Sequence, residues 1–139
     1  MEIAPVEKAD YFALSKLIAY DAAERGSQTR ASFSEKWIYA VECGDLSVFT
    51  VKEGSVLVGY ACFSMGFDYR NLERSAVLHG WYLVPDFRGK GYGKAVLEYL
   101  ESAAKTLGAK RLIVRPAEGA LLSSFGFSYG AEPFAEKRL

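Results

Sequence analysis

At 139 residues, half of them hydrophobic and 14% aromatic, the chain is long enough for one domain with a sizeable core and too apolar to be disordered. Seventeen basic and seventeen acidic residues cancel to zero formal net charge, so bulk charge gives no attraction to nucleic acid or to an anionic membrane. No apolar run is long enough to span a bilayer, and Met1-Glu2-Ile3-Ala4-Pro5 is followed by charges rather than an apolar leader core, so a cytoplasmic protein is expected. Cys43 and Cys62 make no disulfide framework and read as small hydrophobes in a reducing compartment. With a single histidine they also make a poor zinc set, and no metal is expected.

Ile3 to Val6 reads as a short first strand. Lys8 to Arg25 reads as a helix, with Tyr11, Leu14, Leu17, Ile18 and Ala22 repeating at three and four residues, and Gly26-Ser27 ends it. Ser32 or Ser34 caps a second helix that puts Trp37, Ile38 and Val41 on one face, closed by Gly44-Asp45. Leu46 to Lys52 and Ser55 to Met65 form a hairpin around Glu53-Gly54. The polar stretch from Gly66 to Ser75 reads as a loop. Val77 to Leu83 is a nearly continuous apolar run, as expected of a central strand covered on both faces.

The helix from Gly93 to Leu107 buries Val96, Leu100, Ala103, Ala104 and Leu107 and exposes Lys94, Glu98, Glu101 and Lys105, with Gly108 as its stop. Lys110 to Arg115 is a strand ended by Pro116. A short helix over 117–124 and closing strands over 127–129 and 134–138 complete the chain. No repeat, linker or low-complexity segment divides it, so one domain over 1–139 is expected, an α/β fold with helices on both faces of a mixed sheet.

Between the central strand and its helix lies Arg88-Gly89-Lys90-Gly91-Tyr92-Gly93-Lys94. A helix N-terminus offers backbone N–H groups and a partial positive charge, and glycines let a bulky polyanion come close. A first helical turn normally favours Asp or Glu. Arg88, Lys90 and Lys94 without an acid are unfavourable there unless an anion is bound, and a nucleotide-like diphosphate fits. The bland alternative is an ordinary glycine turn with solvated charges. The dinucleotide pattern Gly-x-Gly-x-x-Gly fails, because the glycines fall at 89, 91 and 93, and the phosphate loop Gly-x-x-x-x-Gly-Lys-Ser/Thr fails after Lys94.

Arg88-Gly89-Lys90-Gly91-Tyr92-Gly93 resembles the Arg/Gln-x-x-Gly-x-Gly/Ala signature of the GNAT superfamily of N-acetyltransferases, and Pro85-Asp86-Phe87 and Ser124-Phe125-Gly126-Phe127 are similar to its flanking segments. The likeness runs from about Val77 to Phe127. It implies a mostly antiparallel sheet whose central strands splay around a pantetheine arm. It also implies acetyl coenzyme A as cofactor, with the pyrophosphate on the amides of the loop and backbone groups of Trp81, Tyr82, Leu83 and Val84 on the pantetheine. Tyr92 either lines the cofactor or is an exposed loop aromatic. The implied activity is acetyl transfer to a primary amine, a small molecule or a peptide, by direct attack in a ternary complex. A homodimer is compatible with that activity and not required by it. A non-catalytic acyl-coenzyme A sensor of the same fold is the alternative, and a domain binding some other phosphate ligand is a third reading.

Such chemistry needs a neutral amine, and a free alkyl amine has a pKa near ~10. His79, the only histidine, stands close to where many family members carry a glutamate base, and imidazole can do that work. The competing reading is a buried, neutral, structural histidine. Strand alternation puts His79 and Trp81 on one side and Gly80 and Tyr82 on the other. The chain departs from the family where a tyrosine often serves as general acid: that position is Leu122, with Ser123, Ser124 and Tyr129 nearby. The acceptor is expected near 26–33 and 66–75, where Asp68 and Glu73 would attract a cation and Arg30, Arg70 and Arg74 a carboxylate.

Overall fold

The computed structural model describes residues 1–26, 33–114, 126–127 and 137–138. Five strands form one sheet in chain order: β1 (Glu2–Pro5), β2 (Ser47–Glu53), β3 (Val56–Asp68), β4 (Glu73–Leu83) and β5 (Ala109–Val114). Neighbours are antiparallel from β1 to β4, and β5 runs parallel to β4. The helices are α1 (Tyr11–Glu24), α2 (Phe33–Glu42) and α3 (Tyr92–Thr106). Opposite faces of the sheet carry separate cores. Phe49, Val51, Phe63, Ala76, Leu78 and Leu83 pack with Val96, Leu100 and Ala104 of α3. Val48, Tyr60, Cys62 and Tyr82 pack with Leu14 and Leu17 of α1 and Trp37 of α2. This is the mixed, mostly antiparallel α/β sheet that the sequence implied.

The first helix starts later than its apolar period suggests. Lys8–Asp10 form one tight 3₁₀ turn, because the Asp10 carboxylate turns back to the Glu7 N–H at 3.1 Å and pairs with Lys52 at 2.8 Å. The proposed caps Ser32 and Ser34, the short helix over 117–124 and, apart from residues 127, 137 and 138, the closing strands over 127–129 and 134–138 fall on residues or side chains outside the described set. In α3, Leu97 joins the buried stripe and Leu107 leaves it, 42% exposed, because the helix stops at Thr106 and Gly108 turns away at φ +90°.

The stretch from Gly66 to Ser75 is a strand hairpin, not a long loop. Gly66 pairs with Ser75, Phe67 with Arg74 and Asp68 with Glu73. Only 69–72 turn, held by Asp68 Oδ1, which accepts from the Arg70 N–H at 2.9 Å and the Asn71 N–H at 3.3 Å. Backbone pairing to a central strand overrides the polar composition that suggested a loop.

β3 and β4 meet closely at Gly59. A Cβ there would lie 2.5 Å from the Tyr82 carbonyl oxygen and 2.7 Å from Leu83 Cδ2. Gly59→Ala is expected to destabilise the fold by about 1–3 kcal/mol, the scale of an overpacked interior, measured as a lower midpoint in urea.

Candidate cofactor and acyl-transfer site

The site begins where β4 breaks the regular pleat. Cys62 pairs with Gly80 and Phe63 with Leu78, so His79 is an extra residue, a bulge in β4. The bulge changes the faces that strict alternation predicts. Trp81 packs with the α3 core, while Gly80 lies over Tyr60 and Cys62 on the α1 face. His79 reaches Ser64, the next residue on that same face after Cys62, with 2.7 Å between Oγ and Nε2. His79 therefore does not share a side with Trp81. It is an exposed residue rather than a buried one.

Described pairing of β4 with β5 ends at Leu78 and Val114, while Gly80 to Leu83 pair with β3. The Val84 N–H donates to Val58 O at 2.9 Å, which fixes the phase of the ladder. Tyr82 and Gly80 then exchange hydrogen bonds with β3, and Trp81 and Leu83 turn their N–H and C=O groups toward the β5 side.

Pro85–Phe87 make one 3₁₀ turn, and the loop 88–91 leads into α3. Gly89 and Gly91 both hold positive φ, +74° and +83°, which favours glycine. Gly91 is the N-cap residue. No side chain caps the helix and no acid stands in its first turn. Helix geometry leaves the amides of Tyr92, Gly93 and Lys94 without intrahelical acceptors. Beside them a shallow cleft of about 210 Å³ is lined by Trp81, Leu83, Arg88, Gly89 and Gly93. A Cβ on Gly93 would lie 3.6 Å from the Trp81 indole, so the helix starts directly over that ring. Tyr92 is half-buried and stacked on Phe87, ring centroids 5.9 Å apart, which makes it part of the packing under the loop.

The three basic residues are not equivalent. Lys90 and Lys94 are exposed, the first 5.6 Å from the Phe87 ring and the second 3.9 Å from Glu98. Arg88 is engaged by protein: Nε donates to Leu83 O at 2.8 Å, and Nη2 donates to both carboxylate oxygens of Glu24 at 3.1 and 2.9 Å. The Tyr82 hydroxyl donates to the same carboxylate at 3.0 Å, and Arg88 and Tyr82 together hold the Glu24 carboxyl below its ordinary range. Sequence reading missed Glu24, because the partner of a loop residue 64 positions away leaves no local pattern. Of the proposed acceptor contacts, Asp68 is paired with Arg111, and Arg74 donates to Leu107 O at 2.8 Å. Both therefore have internal work. Arg30, Leu122, Ser123, Ser124 and Tyr129 lie outside the described residues.

Residues 14–127 match the Acetyltransferase (GNAT) family. The chain belongs to that family. It is 32% identical over 115 residues, 78% of this chain, to L-amino acid N-acyltransferase MnaT of Escherichia coli strain K12, and spans 65% of that protein's length. Two solved structures share the fold. One is a ribosomal-protein-alanine N-acetyltransferase from Brucella melitensis biovar Abortus 2308, with 17% identity, a TM-score of 0.80 and coverage of 99% of this chain and 100% of that one. The other is a predicted acetyltransferase with acetyl-CoA from Clostridium acetobutylicum, with 15% identity, a TM-score of 0.79 and coverage of 98% and 95%. A GNAT chain implies acetyl coenzyme A. The residues present fit it: an acid-free, uncapped helix start for phosphates, and a strand edge for amides.

Neither cysteine gains from this geometry as a nucleophile. Cys62 is buried, and burial, with the Asp21 charge adding, pushes its thiol up to about 12. Cys43 is exposed at the end of α2. At pH 8, iodoacetamide should label Cys43 quickly and Cys62 only after denaturation, read as one adduct and then two by intact mass.

Proposed function

We propose that this chain is an acetyl-coenzyme-A-dependent N-acetyltransferase that acts on a primary amine by direct attack in a ternary complex. The observation that carries the reading is the start of α3, a basic, uncapped helix N-terminus behind two positive-φ glycines. The relative named for L-amino acids makes the α-amine of an amino acid the first acceptor to test.

The amides of Tyr92, Gly93 and Lys94 would hold the pyrophosphate, with Lys90 and Lys94 adding screened charge. Backbone groups of Trp81 and Leu83 on the β5 side would pair with the pantetheine amides, next to Tyr82 and Val84 in the strand. When bound, the cofactor supplies an acetyl thioester, a carbon centre already activated toward amines. His79 would take the proton of the attacking amine. Ser64 Oγ lies 2.7 Å from Nε2 and orients the ring. The high thiol pKa of Cys62 supports transfer without an acyl-enzyme.

Coenzyme A should raise the melting temperature, because it binds only the folded state. Gly91→Asp puts a carboxylate on the first-turn amides as an internal cap. It should remove the shift while the protein stays folded, because Asp tolerates positive φ. Gly91→Asn, a neutral cap of the same shape, should retain part of the shift. An undiminished shift in Gly91→Asp would place the phosphates elsewhere.

His79→Ala should lower turnover about 100-fold, the low end of general-base effects, with little change in coenzyme A affinity. The wild-type rate should rise with pH across the range where imidazole titrates, because the base must be deprotonated, and His79→Gln should lose that rise. Coenzyme A binding without thiol release on any amine of a broad panel would favour a non-catalytic sensor.

A further inference from the structure

Among the described residues, a Cβ at Gly89 or Gly91 would meet nothing within 4 Å, so the contacts that fix the loop's two ends matter. One end is the first turn of α3. The other is Arg88, and its anchor comes from across the sheet: Glu24 is the last residue of α1, on the face opposite α3. The guanidinium lies 5.3 Å from the Tyr82 ring centre, bonded to Leu83 O on one side and to Glu24 on the other. Those contacts tie α1, the end of β4 and the loop together at one point.

The charges argue about what Arg88 is for. A carboxylate bonded to a guanidinium largely cancels it, and would repel a diphosphate brought to the same group. An arginine meant chiefly to receive phosphate would be poorly served by such a partner. An arginine meant to hold a loop would be well served, because its planar fork can satisfy the strand carbonyl and the carboxylate together.

Resting on the cofactor reading above, we propose that Glu24 is a positioning residue: through Arg88 it holds the pyrophosphate loop against the end of β4, so that backbone amides and not the arginine receive the phosphates. This differs from the sequence expectation for Arg88, and gives a residue of α1 a part in cofactor binding.

The test is titration calorimetry with coenzyme A at two salt concentrations, on wild type, Glu24→Gln, Arg88→Gln, Arg88→Lys and the Glu24→Gln/Arg88→Gln double variant. Each single Gln variant should weaken binding about tenfold, the scale of one charge-assisted hydrogen bond. The double variant should lose no more than either single, because the two act as one unit. Arg88→Lys should not restore affinity, since an ammonium lacks the fork. The salt slope should match wild type in Arg88→Gln, and in Glu24→Gln the loss should fall on the KM for acetyl-CoA and not on kcat.

Tighter or unchanged binding in Glu24→Gln would overturn the proposal, because it would mean the carboxylate only repels phosphate. A flattened salt slope in Arg88→Gln would do the same, assigning the guanidinium to phosphate directly. So would affinity lost only in step with melting temperature, the mark of general destabilisation. If wild type itself does not bind coenzyme A, the cofactor reading fails first. If wild type binds and the Gln variants match it, only the role of Glu24 fails.

Discussion

Pairing between β3 and β4 slips by one residue at His79, and most of the site follows from that slip. An extra residue bends a strand and raises its local twist. The described ladder with β5 stops at Leu78, one residue earlier. Beyond that point Gly80 to Leu83 still run beside β3, which holds that edge of the strand in the ladder. The slip also moves His79 to the face of Ser64, beside Gly80, and sends Trp81 under the start of α3. A regular pleat would have grouped His79 with Trp81 in the core of one layer. The bulge instead separates His79 from Trp81, which lies under the start of α3.

The start of α3 carries a standing electrostatic cost. Lys94 is in its first turn, where the helix dipole already places positive charge, and no acid offsets it. A zero net charge shows that acids were available in the chain. They stand elsewhere: Glu98 is a full turn along α3, and Glu24 comes from α1 to neutralise Arg88 alone. The first-turn amides are left without a carboxylate, and Arg88 at the start of the loop is tied to α1. Exposed ion pairs of this sort add little to global stability.

Much of this was legible in the sequence where local physics decides. The periodicity of α1 and α3, the glycine at the end of α3 and the strand–loop–helix around Arg88 depend on neighbours a few residues apart. The hairpin arms at 66–68 and 73–75 were hidden, because Asp68, Glu73 and Arg74 look like loop residues until their backbones are seen paired. The bulge was hidden for a related reason: which of Leu78, His79 and Gly80 is the extra residue depends on β3, not on β4's own alternation. Leu97 was missed because the helical stripe is wider than the positions counted, while Leu107 was included because the stop came one residue earlier than the period. Glu24 could be found only by knowing that the end of α1 meets the end of β4, and no spacing in the chain records that.

These placements bear on how little reactive chemistry the chain has to supply. Its buried thiol is held protonated, Tyr60 donates to Asp21 at 2.5 Å with its phenol pushed well above the ordinary range by burial, and Tyr82 donates to Glu24. Each of these groups is tied up as a donor or buried in the layer between β3, β4 and α1. His79 lies on the same face, exposed, with Ser64 Oγ 2.7 Å from its Nε2. With a thioester already activated, the larger demand is to bring the amine and the acyl carbon together in a fixed geometry, and positioning of that kind outweighs any single acid or base. In the proposed reading, the β3–β4 pair and a loop tied to the opposite layer through Arg88 and Glu24 would serve that demand.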